Sequence, residues 1–249
     1  MRQSDVTVAM ITRDRRAEVV RTLDRLAALP ERPPVIVVDN ASADGTAEAV
    51  RAHPVGATLL TPGRNLGALG RNLAARHATT PYVAFSDDDS WWAPGALATA
   101  AALFDRHQRL GLLAGRTLVG DADDEDPLNA VLAASPLPAA GDLPGRQVLG
   151  FLGCAAVVRR RAFLGVGGYH PVLFFGAEET LLAYDLAAAG WGVVHEPSVT
   201  AHHHPSPGAR AGRSPLLLRN ALLTAWLRRP LPVALSRTLA LAAGAARGD

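Results

Sequence analysis

Apolar residues in this chain cluster in short runs, and between the runs they recur at helical spacing. Residues 6–11 (Val-Thr-Val-Ala-Met-Ile) and 35–38 (Val-Ile-Val-Val) are the first two runs, and each reads as a buried strand. Between them Val19, Leu23, Leu26 and Ala27 fall on one helical face over residues 15–29. Asp44-Gly45-Thr46 is a turn into a helix over 47–52, and 57–60 is a short third strand. Small residues dominate a helix over 67–78, and 82–85 is a fourth strand. Strands alternating with helices predict an α/β fold with a largely parallel sheet.

Past Asp89 the pattern changes. Pro94 suits the first turn of a helix reaching about Phe104, and 112–119 reads as a strand. Residues 120–147 are rich in Asp, Pro, Gly and Ala, with room for two short helical turns; a loop this long is usually functional or mobile. Residues 148–158 are extended and apolar, 160–164 form a helical turn before Gly165-Val166-Gly167-Gly168, and 178–189 form a helix ending at Gly190. Residues 193–201 are extended and run into His202-His203-His204. A linker at 205–212 precedes a helix over 214–227, which Pro230 and Pro232 end, and a weaker helix over 234–246.

Composition narrows the class of protein. With 49% apolar residues the 249-residue chain can bury a sizeable core, and 5% aromatic content makes that core mostly Ala, Val and Leu. The formal charge of +2 and the lack of a dense basic stripe give no reason to expect nucleic acid. All 25 basic residues are Arg, as expected from codon bias. A single cysteine, Cys154, excludes an intrachain disulfide framework and a thiolate zinc site. No signal peptide or membrane-length apolar run is seen, so a soluble cytoplasmic protein is the expectation.

Three patterns carry chemistry. The run Asp87-Asp88-Asp89 follows the fourth strand, and carboxylates so close repel unless a cation intervenes. Oxygen ligands favour Mg²⁺ or Mn²⁺, and such ions often bridge a diphosphate. Asp39 directly follows four apolar residues at the end of the second strand, where a carboxylate can accept a hydrogen bond from a base or a ribose hydroxyl. Thr12 and Arg13 could line the same pocket, and Asn65 and Arg71 could face the nucleotide or the acidic run. Residues 63–72 lack the lysine and spacing of a phosphate loop.

Glu178 and Glu179 open a helix whose buried face is marked by Leu182, Leu186 and Ala189. Acids there complement the helix dipole, and a cleft-edge carboxylate could also be a general base. In an extended segment His202 and His204 share one face while His203 points away, so one of that pair could join a metal site.

Taken in order, these motifs resemble the family 2 glycosyltransferases of GT-A fold: VVDNASADGT at 37–46, RNLGALGRN at 64–72, FSDDD at 85–89, VVRRRAFLGVGGY at 157–169 and GAEETLLAYDLAAAGW at 176–191. The resemblance spans about residues 6–206. It implies a Rossmann-like sheet flanked by helices, with a nucleotide-sugar half at about 1–119, an acceptor half at about 120–212 and a helical extension at 213–249. It implies a nucleoside-diphosphate sugar, UDP- or dTDP-linked, held by Thr12, Arg13, Asp39, Asn65, Arg71, Asp87 and Asp88. Asp87 and Asp89 would be the ends of a DXD motif, with Asp89 at the metal and one of His202 and His204 completing its shell. Residues 150–156 would line the acceptor cleft. Glu179 would be the general base of an inverting transfer, with Glu178 its rival, because Glu stands where the family has Asp.

The acceptor could be a small natural product, a saccharide or a lipid-linked molecule. The 120–147 loop is placed to close over the donor and exclude water. Rival readings are a sugar-phosphate nucleotidyltransferase, which would need a glycine-rich basic loop in place of Met10–Asp14, and a non-catalytic sugar-nucleotide-binding protein. Residues 214–230 could pack on the core, form a homodimer interface or touch the inner face of a membrane as a peripheral segment.

Overall fold

The computed structural model describes residues 4–206 and 214–247. Four strands, β1 (Val6–Thr12), β2 (Val35–Asp39), β3 (Thr58–Leu60) and β4 (Tyr82–Asp87), pair in parallel in the order β3-β2-β1-β4. Crossover helices α1 (Arg16–Ala27), α2 (Thr46–Ala52) and α3 (Leu69–His77) connect them. Parallel pairing sets the carboxyl ends of β1, β2 and β4 side by side, with Thr12 opposite Asp39 and Ile11 opposite Asp87. That edge is where open α/β sheets collect ligands.

The second half departs from parallel order. The sheet continues β4-β9-β6-β10-β5, with β9 (Ala156–Arg159) antiparallel to both β4 and β6 (Leu110–Val119). Strand β10 (Gly192–His203) runs parallel to β6 and antiparallel to β5 (Ser90–Trp92). Ser90–Trp92 therefore forms a strand that apolar periodicity does not suggest, and the acidic run occupies the tight turn between β4 and β5. Helix α4 (Ala96–Arg106) follows it.

One cluster of buried side chains, including Leu23, Leu97 and Phe104, covers one face of the sheet. A second, including Phe85, Phe163, Tyr169 and Leu182, covers the other. Residues 120–147 contain more structure than a loop: β7 (Asp124–Glu125), α5 (Pro127–Ala133) and β8 (Arg146–Gln147). Asp126 caps α5 by accepting a 2.8 Å hydrogen bond from Leu128 N, with Pro127 in the first turn. A 3₁₀ turn at Gly153–Ala155 breaks the extended stretch expected at 148–158. Helices α6 (Arg160–Gly165) and α7 (Glu178–Ala188) follow.

Beyond Ser206 the expected linker lies outside the described residues. The extension is two helices, α8 (Ser214–Arg228) and α9 (Leu231–Arg247), so the second starts three residues before the expected Ala234, with Pro232 in its first turn. Helix α8 packs on α7: buried Asn220 donates to the carbonyls of Phe175 (3.1 Å) and Gly176 (2.6 Å), and Arg228 pairs with Asp185. No helix among the described residues is long and apolar enough to cross a membrane.

Candidate active site

The loops after β1 and β2 are tied together by their own hydrogen bonds. Asp14 N donates to Ser42 Oγ (2.8 Å) and Ala43 N to Asp14 Oδ1 (2.7 Å), an arrangement that holds Asp14 in left-handed backbone. Asn40 anchors the next loop, taking Leu66 N at 3.0 Å and reaching Gly67 O at 3.3 Å. Gly67 has φ +57°, and a Cβ there would overlap the Phe174 carbonyl, which accepts from Ala68 N at 2.9 Å. Asp39 is buried and bonded to the backbone N–H and hydroxyl of Ser42. Asp39 is not among the residues that line the cavity beside it; its neighbour Asn40 is, together with Thr12, Arg13 and Asn65.

That cavity has a volume of about 780 Å³. The acidic run splits at its floor. Asp87 accepts from Arg71. Asp88 turns inward, where Thr12 Oγ1 donates to one carboxylate oxygen at 2.8 Å and the Arg15 guanidinium forms an ion pair with the other, Nε standing 2.7 Å away. Burial pushes the Asp88 carboxyl up to about 7, with Arg15 opposing and Asp89 and Asp87 adding to the rise. With both oxygens engaged, Asp88 braces the β4–β5 turn while still lining the cavity, as expected of a residue near the donor. Asp89 faces Arg15 Nη2 at 2.9 Å and His203 Nε2 at 3.5 Å.

The histidines also need correction. His202 and His204 do share a face, but it is the far one. His202 Nδ1 bonds Asp123 at 2.8 Å, His204 Nδ1 lies 3.3 Å from Asp121, and both pack on the Trp91 ring. Strand β10 extends through His203 with His202 opposite Trp91 and His203 opposite Ser90, which fixes the phase of the alternation. His203 is the histidine that lines the cavity, and its Nδ1 is buried without a hydrogen-bond partner. Sequence reasoning missed both His203 and Arg15. The alternation was the available signal for the first, but its phase was not.

No group of three or more His, Cys, Asp or Glu is arranged around one ion among the described residues. Mg²⁺-type ions commonly take one or two carboxylates and complete their shell with water and substrate phosphate. Asp89 with the Nε2 of His203, 3.5 Å apart, is a donor set that fits a cation of that kind. The same set does not fit an ion enclosed by protein alone.

Across the cavity, α7 begins after Ala177, whose φ of +61° turns the chain into the helix. Glu178 is 2% exposed, with Oε1 3.8 Å from Arg71 Nη1 and Oε2 unpartnered. Glu179 lines the cavity and accepts from Gly153 N at 3.4 Å. Burial raises both carboxyls; the charge of Glu178 raises Glu179 further, and Arg71 opposes the rise at both. Gly153 permits this approach, since a Cβ there would stand 3.3 Å from Glu179 Oε1 and 3.4 Å from Arg71 Cζ.

Arg71 is itself 2% exposed. Burial would lower its affinity for a proton, but Asp87, Tyr169 and the two glutamates outweigh that and hold it firmly charged. One guanidinium thus spans from the acidic turn to the head of α7. The remaining wall is mostly apolar, with Leu128, Phe151, Phe174, Phe175, Leu216 and Leu217 beside Asp126; the two leucines at 216 and 217 come from α8.

The family model described as "Glycosyl transferase family 2" matches residues 7–166. Proteins named N-acetylglucosaminyl-diphospho-decaprenol L-rhamnosyltransferase from two Mycobacterium tuberculosis strains are 30% identical in a 230-residue alignment that covers 78% of this chain and 74% of theirs. The mannosyltransferase PcManGT from Pyrobaculum calidifontis, solved with GDP-Man and Mn²⁺, aligns at TM-score 0.66 and 26% identity over 98% of this chain and 76% of that one. TarS from S. aureus aligns at TM-score 0.67 and 19% identity over 88% of this chain; the chain spans only 39% of the length of TarS. The TarS likeness shows fold alone, and that fold is the expected GT-A arrangement.

Proposed function

The chain belongs to glycosyl transferase family 2, and we propose that it moves a sugar from a UDP- or dTDP-linked donor to a lipid-linked saccharide, inverting the anomeric carbon. The observation that carries this reading is the convergence in one cavity of Asp87, Asp89 and His203 on one side and Glu179 on the other, joined through Arg71.

The donor diphosphate lies over the β4–β5 turn. Asp89 and His203 would hold a divalent cation, Mg²⁺ or Mn²⁺, which when bound would offset charge on the leaving diphosphate. Arg71 positions Asp87 toward the ribose or sugar and keeps its own charge in a dry site. Thr12, Arg13, Asn40 and Asn65 border the nucleoside, and Asp39 reaches it only by releasing Ser42. Glu179 accepts the proton of the acceptor hydroxyl as that oxygen attacks the anomeric carbon opposite the diphosphate. Its raised affinity for protons favours this step once it is ionised.

Two observations support the lipid-linked acceptor. Much of the wall of the cavity that holds Glu179 is apolar, and relatives that are 30% identical carry an acceptor with a decaprenol chain in their name. The test is to titrate UDP, dTDP and GDP by calorimetry with and without Mn²⁺ or Mg²⁺, then assay transfer by Glu179→Gln. Metal-dependent binding of one nucleotide is expected, with binding retained in the variant and transfer down by about 10²-fold or more. Near-normal turnover by Glu179→Gln would remove it as base, and absence of nucleotide binding would remove the donor site.

A further inference from the structure

We propose that α8 and α9 form a docking face for an anionic lipid bilayer. Nine large apolar side chains are exposed among the described residues, and six sit on these two helices: Leu217, Leu218, Trp226, Leu231, Leu235 and Leu239. Single exposed leucines are ordinary on a protein surface. Leu231, Leu235 and Leu239 instead recur every four residues, at 59%, 45% and 69% exposure, and so form one stripe along α9.

The stripe is not the sign of an undocked helix. The opposite faces are already used, with Asn220, Thr224 and Ala225 of α8 and Ala234 of α9 buried, and with Trp226 Nε1 donating to Thr238 Oγ1 at 3.0 Å. The outward leucines and Trp226 are covered by nothing within the described residues, and they share that surface with exposed arginines.

Charge selects the occupant. Between Glu196 and Asp249 the sequence has seven arginines and no acidic residue, whereas residues 1–196 carry 18 arginines against 22 acids. A second copy of this face would bring like charges together, which disfavours self-association. Anionic headgroups complement Arg219, Arg229 and Arg237, which are exposed on and between α8 and α9 while Arg228 is held by Asp185, and the exposed leucines and Trp226 suit the boundary between headgroups and acyl chains. Helix α8 also links this face to the cavity, since Leu217 is exposed and lines the cavity mouth. Docking would therefore bring the apolar wall of the cavity toward the bilayer.

Lipid docking requires neither donor nor acceptor, so its failure and the failure of the transfer reading are separable. The full chain is sedimented with vesicles of phosphatidylcholine alone or mixed with phosphatidylglycerol. Partition onto the anionic vesicles is expected to exceed the neutral ones by about tenfold and to fall as salt rises. The triple variant Leu231→Ser, Leu235→Ser, Leu239→Ser should lose about tenfold or more of that partition while unfolding at the same urea concentration as the parent. Equal partition of parent and variant, or no partition of the parent, overturns the proposal. So does a parent dimer in sedimentation velocity that the triple variant separates, because that outcome assigns the stripe to a second copy.

Discussion

Replacing Arg71 with methionine removes the cation that touches both Asp87 and Glu178 while retaining most of the side chain's bulk beside Tyr169. Two carboxylates then lose their partner, but not equally. Asp87 has a side chain that is 27% exposed and can recover water, so its loss is worth about 1 kcal/mol. Glu178 is 2% exposed and already has one unpartnered oxygen, so its charge is left stranded. Breaking a buried pair from one side costs about 3–5 kcal/mol in general; the 3.8 Å separation here is long, so about 2 kcal/mol is the fitting share.

The expected total is about 3 kcal/mol, which in urea displaces the unfolding midpoint by about 1 M. The loss must also depend on pH. The folded Glu178 carboxyl is raised above its unfolded value by burial, and Arg71 restrains that rise. A group raised in the folded state contributes its full stability below the unfolded value and loses it as pH climbs through the folded one. Without Arg71 the rise is larger, so the variant loses more between about pH 4 and neutrality and converges on the parent in acid. Tryptophan fluorescence during urea unfolding at several pH values measures this. Adding Glu178→Gln should restore most of the loss at neutral pH. A midpoint shift under about 0.3 M, or a loss that ignores pH and is not rescued by Glu178→Gln, would refute the reasoning.

Two further outcomes follow from the same geometry. His203→Ala should weaken metal-dependent nucleotide binding by about tenfold or more, while His202→Ala and His204→Ala change it by less than about twofold; calorimetry giving the reverse ranking would return the metal site to the outer pair. Glu178→Gln removes a like charge beside Glu179 and so lowers the Glu179 carboxyl, moving the rising limb of the kcat/KM profile to lower pH. A limb that stays in place or moves upward would separate Glu179 from the proton transfer.

What the sequence determined by itself was local or periodic. Apolar runs marked β1, β2 and β4, and the 3.6-residue spacing marked α1 and α7, because burial imposes those periods on any chain. Since parallel strands place their carboxyl ends together, the order of residues alone assigns Thr12, Asp39 and Asp87 to one edge. Tertiary structure alone decided the partners. Arg15 meets Asp89 across 74 positions, and Asn220 braces the head of α7 from 44 positions away. His203 faces the cavity because β5 pairs with β10 in one register; a shift of one residue would have turned His202 and His204 inward instead. Alternation along a strand is written in its residues, but its phase is set by the neighbouring strand, and that pairing is a long-range contact that no local pattern encodes.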